Sequence, residues 1–270
     1  IMMDKIFETL VIASAVLTIG SSVMIILYIL INGIPNINTG LFEWEYTPDN
    51  LSMMPAIVST LYMTALALFM AVPVGICSAV YLAEYSGNRS VVISVIRLTT
   101  ETLAGIPSIV YGLFGYIFFV IILGWSYSLI AGAATLAVMV LPLIIRTAEE
   151  AINSVPMGYR EGSLGLGAGK VYTIFKIVIP CAMPNILSGI ILAVGRIVGE
   201  SAALIFTAGT VAQVPGSIFD SARTLSVHMY ALLSEGLYTE EAYATAAVLL
   251  VMVAGINGLS WYAAKKIIAL

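Results

Sequence analysis

Charged side chains are scarce in this chain of 270 residues: only 10% are Asp, Glu, Lys or Arg, against about a quarter in an average soluble domain. Histidine occurs once, at His228, and cysteine twice, at Cys77 and Cys181. These counts exclude a disulfide framework and leave almost nothing from which to build a histidine metal site or a Ser-His-Asp triad. We therefore predict no catalytic residue and no metal ligand, and a structural role for His228.

Apolar residues, by contrast, make up 60% of the sequence and gather in long runs without charge. The hydrocarbon core of a bilayer takes about 20 apolar residues per helical span. The runs therefore predict an all-α, polytopic membrane protein in which residues 1–270 form a single transmembrane domain. Six transmembrane helices are expected, at residues 6–31, 56–83, 92–123, 128–148, 184–211 and 242–264.

Local residues add detail to these spans. Pro107 is expected to bend the third span, because proline removes a helical hydrogen bond and clashes with the preceding turn. Residues 124–127 are expected to form the turn of a hairpin between the third and fourth spans. A cleavable signal peptide is the alternative for the first span, but its apolar run is longer than such a segment and no small-residue cleavage site follows.

Basic residues are distributed unevenly over the loops between the predicted spans. Lys and Arg accumulate in short cytoplasmic loops, so we expect an inner (plasma) membrane protein with both termini in the cytoplasm. The predicted outer loops are mostly acidic, which suggests no nucleic-acid partner and the capture of any anionic cargo by a separate protein. Arg196 lies within a span and Arg223 in an outer loop, and the cytoplasmic basic residues are Lys5, Arg89, Arg97, Arg146, Arg160, Lys170, Lys176, Lys265 and Lys266.

The longest cytoplasmic segment, residues 149–180, is predicted to form two short helices around a glycine-rich bend. Pro156 suits the first turn of a helix, and alternate glycines over residues 165–169 allow a tight reversal. An amphipathic hairpin lying on the lipid surface is the alternative. The segment is not an ATP site, because Val171 follows Lys170 where a phosphate-binding loop needs Ser or Thr.

Three groups of residues in this segment stand at fixed intervals, namely Glu161-Gly162-Ser163, then Gly167 after three residues, then Ile177-Val178-Ile179-Pro180 after nine. The pattern resembles the signature of inner-membrane permease subunits of binding-protein-dependent ABC importers, which reads E-A-A, three residues, G, nine residues, I-x-L-P. Here glycine and serine replace the alanines and isoleucine replaces the leucine. Size or hydrophobic character is preserved, although Gly162 loosens the first helix.

This resemblance implies the type I ABC importer permease fold and an assembly of several subunits. Residues 149–180 would be the coupling loop, seated in a groove of an ATP-hydrolysing subunit. The implied partners are a homologous permease subunit, two ATP-binding subunits, an extracytoplasmic binding protein and membrane lipid. ATP and Mg²⁺ would bind the partner subunits, and no cofactor would bind this chain. The implied docking residues are Tyr159, Arg160, Glu161, Gly162, Ser163 and Gly167.

Two charged residues fall inside the predicted fifth span, where an ionisable group costs about 3 kcal/mol on insertion scales. Arg196 and Glu200 stand at i, i+4, so we expect them on one face of that helix, near its middle. One interpretation is an ion pair that only fixes helix packing. The other is an oxyanion site, since a guanidinium offers planar, forked donors.

Two further pairs lie nearer the cytoplasmic ends of spans. Arg146 and Glu149, at i, i+3 on the fourth span, repeat the same pattern, with snorkelling to the interface as the alternative. Arg97 and Glu101, on the third span, are expected to pair for structural reasons only.

Beyond the loop, the chain from Ala104 to Gly115 and the run Gly199-Glu200-Ser201-Ala202 are similar to the phosphate branch of these permeases, and closest to the second of its two homologous subunits. The resemblance implies inorganic phosphate as cargo, delivered by a phosphate-binding protein. It also implies that Arg196, Glu200, Arg146 and Glu149 line the substrate path. From the residues alone, sulfate or molybdate remain alternatives, as do an ion-coupled secondary transporter and a membrane scaffold.

Overall fold

The computed structural model describes residues 2–85 and 91–268, which form helices and connecting segments; within those ranges there is no β-strand. Arg89, counted above among the cytoplasmic basic residues, lies outside them. The α-helices are α1 (Met2–Gly33), α2 (Met54–Val80), α3 (Val91–Ala104), α4 (Ser108–Gly115), α5 (Leu129–Asn153), α6 (Met157–Gly165), α7 (Lys170–Thr173), α8 (Ile179–Val198), α9 (Ala202–Thr207), α10 (Leu225–Glu235) and α11 (Thr239–Ile268). Wider π-type turns extend α2, α4 and α7 over Tyr81–Tyr85, Tyr116–Ile122 and Ile174–Val178, and short 3-10 turns follow α1 at Ile34–Asn36 and Thr39–Phe42.

Five helical stretches are long and apolar enough to cross a bilayer, and a bent pair completes the six predicted spans. The pair joins Ile93–Ala104 to Ser108–Ile122 at an angle of 103°. The bend falls at Pro107, as predicted, because the residue before a proline avoids helical backbone angles. The Tyr111 hydroxyl donates to the Leu103 carbonyl at 2.7 Å. It thus supplies a hydrogen-bond donor in place of the helical one that this carbonyl loses because α3 ends at Ala104.

The fifth span differs from its predicted bounds of 184–211. Its helical stretch runs over Lys170–Val198, so the end of the glycine-rich segment leads straight into the membrane helix. Pro180 has no N–H with which to form the usual helical hydrogen bond to the preceding turn. The π-type turn just before it accommodates this missing hydrogen bond. Helix α8 ends at Val198 with Gly199 as its C-cap, and the separate helix α9 follows. Because the chain is mostly apolar on both sides of this break, hydropathy alone did not reveal it.

The core is built around α5, which packs against α2 on one side and α8 on the other. Leu136 and Ile144 of α5 are fully buried, in contact with a layer that includes Met63 of α2 and Ile197 of α8. Gly189 of α8 sits against Thr147, where a Cβ atom would collide with the threonine side chain. Close helix approach through small residues is typical of membrane proteins, in which dispersion and packing hold helices together.

Candidate functional site

Two arginines and two glutamates meet where α3 packs against the C-terminal half of α5. The Nε of Arg97 donates to Oε1 of Glu149 at 2.9 Å, and the Nε of Arg146 donates to Oε1 of Glu150 at 2.9 Å. The predicted pairings of Arg146 with Glu149 and of Arg97 with Glu101 are therefore wrong. Glu149 reaches across to α3, while the i, i+4 spacing places Glu150 beside Arg146.

These charges line a cleft of about 240 Å³ on the surface of the chain. The side chains of Arg146 and Glu150 are 62% and 64% exposed, whereas Glu149 is 12% exposed. An exposed ion pair on a membrane-spanning helix cannot face hydrocarbon without a large cost. This face of α5 is therefore suited to water or to another protein. The cleft is lined by Leu82, Arg97, Thr100, Glu101, Ile145, Arg146, Glu149, Glu150 and Asn153.

A second, mostly apolar groove lies on the other side of Glu150, between α5 and α8, with a volume of about 280 Å³. It shares Glu150 with the first cleft. The hydroxyl groups of Thr147, Ser154 and Ser188 along it donate to backbone carbonyls three or four residues earlier. Its lining residues are Thr147, Glu150, Ala151, Ser154, Asn185, Ser188, Gly189 and Leu192.

Arg196 and Glu200 do not share a helix face as predicted. Helix α8 ends at Val198, and the buried Glu200 caps the first turn of α9 instead, with Oε1 accepting from the Ala203 N–H at 3.1 Å. Within residues 2–85 and 91–268, no carboxylate oxygen lies within 4 Å of the Arg196 guanidinium, so the expected ion pair is not formed. The interpretation of this pair as a packing ion pair therefore fails, and the Arg196 guanidinium donates to no acceptor among the described residues.

The segment predicted as a loop with two short helices has that form, built from α6, a glycine bend and α7. Gly167 has φ +86°, a backbone angle that favours glycine, and this angle allows the reversal. Ser163 is buried and hydrogen-bonds the Thr173 hydroxyl at 2.8 Å, which ties α6 to α7. The tip carries exposed apolar groups, with Leu166 91% exposed, as well as the exposed side chains of Tyr159 and Glu161.

Of the candidate docking residues, Arg160 is turned into the chain. Its Nε donates to Oε1 of Glu84 at 2.8 Å, and the pair is largely buried. Sequence reasoning missed Glu84 because the two residues are distant along the chain and lie on different elements. It also missed Glu150, although the i, i+4 spacing from Arg146 was visible in the sequence.

His228 is fully buried at the start of α10, which agrees with the structural role predicted for it. Its Nδ1 lies 3.3 Å from Nη1 of Arg223, and an arginine can only donate. His228 therefore accepts at Nδ1 and is neutral. Among the described residues, no group of three or more His, Cys, Asp or Glu side chains is arranged to hold a metal ion.

A helical bundle of membrane spans, a projecting glycine-bend loop and a charged helix face together define a membrane transport subunit. Residues 71–264 match the family of binding-protein-dependent transport system inner membrane components, and the chain belongs to this family. It is thus the permease-type component of an ABC transporter and has the corresponding all-α fold.

Particular relatives share much of its length. The chain is 36% identical to a probable ABC transporter permease protein, YqgI, of Bacillus subtilis, over 85% of this chain and 84% of that protein. It is 35% identical to the phosphate transport system permease protein PstA of Mycobacterium leprae, over 80% and 74% respectively. A bacterial alginate ABC transporter structure, solved with a pentasaccharide-bound periplasmic protein, superposes with a TM-score of 0.72 at 15% identity, over 98% of this chain and 96% of that one.

Proposed function

We propose that the chain is the permease subunit of an ATP-driven phosphate importer and that its single transmembrane domain, residues 1–270, forms half of the translocation path. The observation that carries this proposal is the exposed Arg146–Glu150 pair on a membrane-spanning helix, beside the Arg97–Glu149 pair, in which the carboxylate is largely buried and the arginine half exposed. A charged face of this kind needs water or a second subunit across from it. The other half of the path is supplied by a homologous permease that presents a similar face.

Arginine groups on this path are the anion-binding elements. Arg146 is exposed and Arg196 has no carboxylate within 4 Å among the described residues, so both can offer forked donors to a tetrahedral oxyanion. Glu149 holds Arg97, and Glu200 shapes the chain next to Arg196 through its cap on α9. Phosphate is the cargo favoured by the name of the Mycobacterium leprae relative, with sulfate and molybdate as the other oxyanions.

Energy reaches the path through the loop at residues 149–180. Tyr159, Glu161, Gly162 and Gly167 are exposed and available to one of two ATP-binding subunits, which bind ATP and Mg²⁺. Arg160 and Ser163 hold the loop together from within. An extracytoplasmic phosphate-binding protein delivers the cargo on the opposite side, and both termini are cytoplasmic. Family membership favours this arrangement over an ion-coupled secondary transporter or a scaffold.

The decisive experiment is uptake of radiolabelled phosphate into proteoliposomes that contain the permease pair, the ATP-binding subunits and the binding protein. ATP-dependent uptake that unlabelled phosphate suppresses and sulfate or molybdate does not would support the proposal. Uptake that sulfate or molybdate suppresses instead would reassign the cargo. Uptake by this chain alone, without ATP or partner subunits, would refute the ATP-driven mechanism.

Arg196 variants test the path within the same preparation. We expect Arg196→Ala to abolish uptake in an assembled complex and Arg196→Lys to restore little of it, because a point charge loses the forked geometry. Glu235→Gln, at an exposed carboxylate near the end of α10, is the matched control and should transport normally. Normal uptake by Arg196→Ala would remove this residue from the path.

A further inference from the structure

The end of α2 is fastened to both sides of the coupling loop by charged groups. Arg160 of α6 donates from Nε to Glu84 Oε1 at 2.8 Å, with the two side chains 13% and 10% exposed. Lys170 of α7 donates to the Glu84 backbone carbonyl at 2.5 Å and places its Nζ 4.5 Å from the ring centre of Tyr85. A single turn of α2 is therefore held by the helix before the glycine bend and by the helix after it.

The same arginine also reaches the end of α5. Its Nη1 donates to the Val155 carbonyl at 2.6 Å and its Nη2 to the Ile152 carbonyl at 2.9 Å. These carbonyls belong to the last turn of α5 and the residues just beyond it, where helices leave acceptors without partners. One guanidinium thus joins α6, α5 and α2, with a charged bond to α2.

Among the residues that the structure describes, the tip of the loop has no comparable attachment. A Cβ atom at Gly165, Gly167 or Gly169 would meet nothing within 4 Å, so the bend stands clear of the described part of the chain. The Ser163–Thr173 hydrogen bond keeps α6 and α7 together behind that bend. A force applied at the tip must then pass to the spans through α6 and α7. The charged contacts at Glu84 connect these helices to the end of α2, beside the apolar cluster that contains Val80, Ile174 and Val178.

Helix α2 can carry such a displacement across the bilayer. It packs along α5, and its Gly75 approaches Ile144 of α5 so closely that a Cβ atom would collide with that side chain. Near its other end, the Thr60 hydroxyl accepts from the Leu225 N–H at 2.8 Å and so connects α2 to α10. Motion at Glu84 is thereby linked to both ends of α2, which packs along α5, the helix that carries Arg146 and Glu150.

We propose that Glu84 is a positioning residue for energy coupling: its bond to Arg160 is the joint through which movement of the coupling loop moves α2. This inference rests on the proposed function in that it requires an ATP-driven partner to push the loop. If Glu84 only stabilised the fold, its loss would lower ATP hydrolysis and uptake in proportion, since fewer complexes would assemble. A broken joint instead leaves hydrolysis running and lowers the amount of phosphate imported per ATP.

The test uses the complete reconstituted transporter with Glu84→Ala and, as matched control, Lys176→Ala at an exposed cation of the same segment. We expect Glu84→Ala to assemble and hydrolyse ATP but to import about ten-fold less phosphate per ATP, a typical size for a coupling interaction. The control should keep its ratio. If Glu84→Ala does not assemble, Glu84→Met, which keeps the length of the side chain but has no oxygen to accept from Arg160, takes its place. An unchanged ratio overturns the proposal.

A covalent substitute for the ion pair provides a rescue. In a chain with Cys77→Ser and Cys181→Ser, the double variant Glu84→Cys, Arg160→Cys should be uncoupled until a short bifunctional thiol reagent joins the two positions. Recovery of the phosphate-to-ATP ratio after cross-linking supports a mechanical joint. Cross-linked complexes that stay uncoupled contradict it.

A cargo-independent measurement separates failure of this proposal from failure of the phosphate assignment. Spin labels on the native Cys77 of α2 and on Gly158→Cys of α6, with Cys181→Ser, report the distance between helix and loop. In the otherwise unchanged chain we expect the same distance with and without ATP, and in the Glu84→Ala chain a distance that changes with ATP. A nucleotide-dependent distance already present with Glu84 intact overturns the joint, whatever the cargo proves to be.

Discussion

The guanidinium of Arg97 on α3 holds the carboxylate of Glu149 on α5, with Nε 2.9 Å from Oε1. Glu149 is 12% exposed, whereas the neighbouring Arg146–Glu150 pair is more than 60% exposed on both sides. The two arginines therefore have different roles. Arg97 is committed to a partly buried partner, while the proposed function requires that an incoming anion displace the exposed partner of Arg146.

Replacing these two arginines should separate stability from transport. Arg97→Ala leaves Glu149 without its partner, so we expect a loss of about 1 to 2 kcal/mol of unfolding free energy, less than for a fully buried pair because Arg97 is half exposed. Arg146→Ala should leave the thermal midpoint almost unchanged and abolish phosphate uptake. Thermal unfolding of the purified subunit and uptake by the reconstituted complex measure the two effects. An Arg146→Ala complex with normal uptake would show that Arg146 only snorkels.

From the contact between His228 and Arg223 we predict that the stability of the folded chain depends on pH. Burial, and then the nearby Arg223 charge, lower the pKa of His228 from 6.5 to about 4. Between these values the unfolded chain binds a proton that the folded chain does not. The stability contributed by neutral His228 is therefore complete above about pH 6.5 and falls by about 1.4 kcal/mol per pH unit as the pH drops towards 4.

Hydrogen exchange of the α10 amides between pH 7 and 4.5, corrected for intrinsic rates, measures this effect. His228→Gln, which has no charge at any of these pH values, should show a smaller loss of protection as the pH falls. Because other groups titrate in the same pH range, the quantity compared is the slope of amide protection against pH in the native chain and in His228→Gln. Equal slopes in the two proteins would show that His228 does not titrate as proposed.

Sequence patterns located the membrane spans and the loop, but they could not locate the two ion pairs between distant residues, in contrast to the i, i+4 pair of Arg146 and Glu150. Apolar runs and Pro107 gave the six spans and the bend, because these depend on local composition and on one missing N–H. Arg97 and Glu149 are 52 positions apart, and Arg160 and Glu84 are 76, so only the packing of helices brings them together. The i, i+4 argument for Arg196 failed for a local reason, since the helix ends before Glu200.

Glu200 offers a test that separates a capping role from a charge role. Its Oε1 caps α9 and its backbone carbonyl accepts from the Ser226 hydroxyl at 2.6 Å. Glu200→Gln keeps an acceptor, whereas Glu200→Ala removes the cap and should cost about 0.5 to 2 kcal/mol. Thermal unfolding of both variants and phosphate uptake by both complexes give the comparison.

The two readouts assign the role of Glu200. If the carboxylate charge contributes to the path, Glu200→Gln should unfold like the native chain yet transport less phosphate. Native uptake by Glu200→Gln, together with reduced stability of Glu200→Ala, would limit Glu200 to capping. An Ala variant as stable as the native chain would contradict the cap itself.

The backbone of Gly167 gives the sharpest test of the loop conformation. At φ +86° a side chain is strained even though open space surrounds the position. A β-branched residue is strained most there, while asparagine tolerates positive φ better than other residues. We therefore expect Gly167→Val to abolish ATP-driven uptake and Gly167→Asn to retain a substantial part of it, with membrane insertion intact in both. Gly158→Ala, on the exposed surface of α6, is the control and should transport normally. Equal loss in Gly167→Val and Gly167→Asn would mean that the partner subunit excludes any side chain at this position, and that the left-handed turn is not what uptake requires.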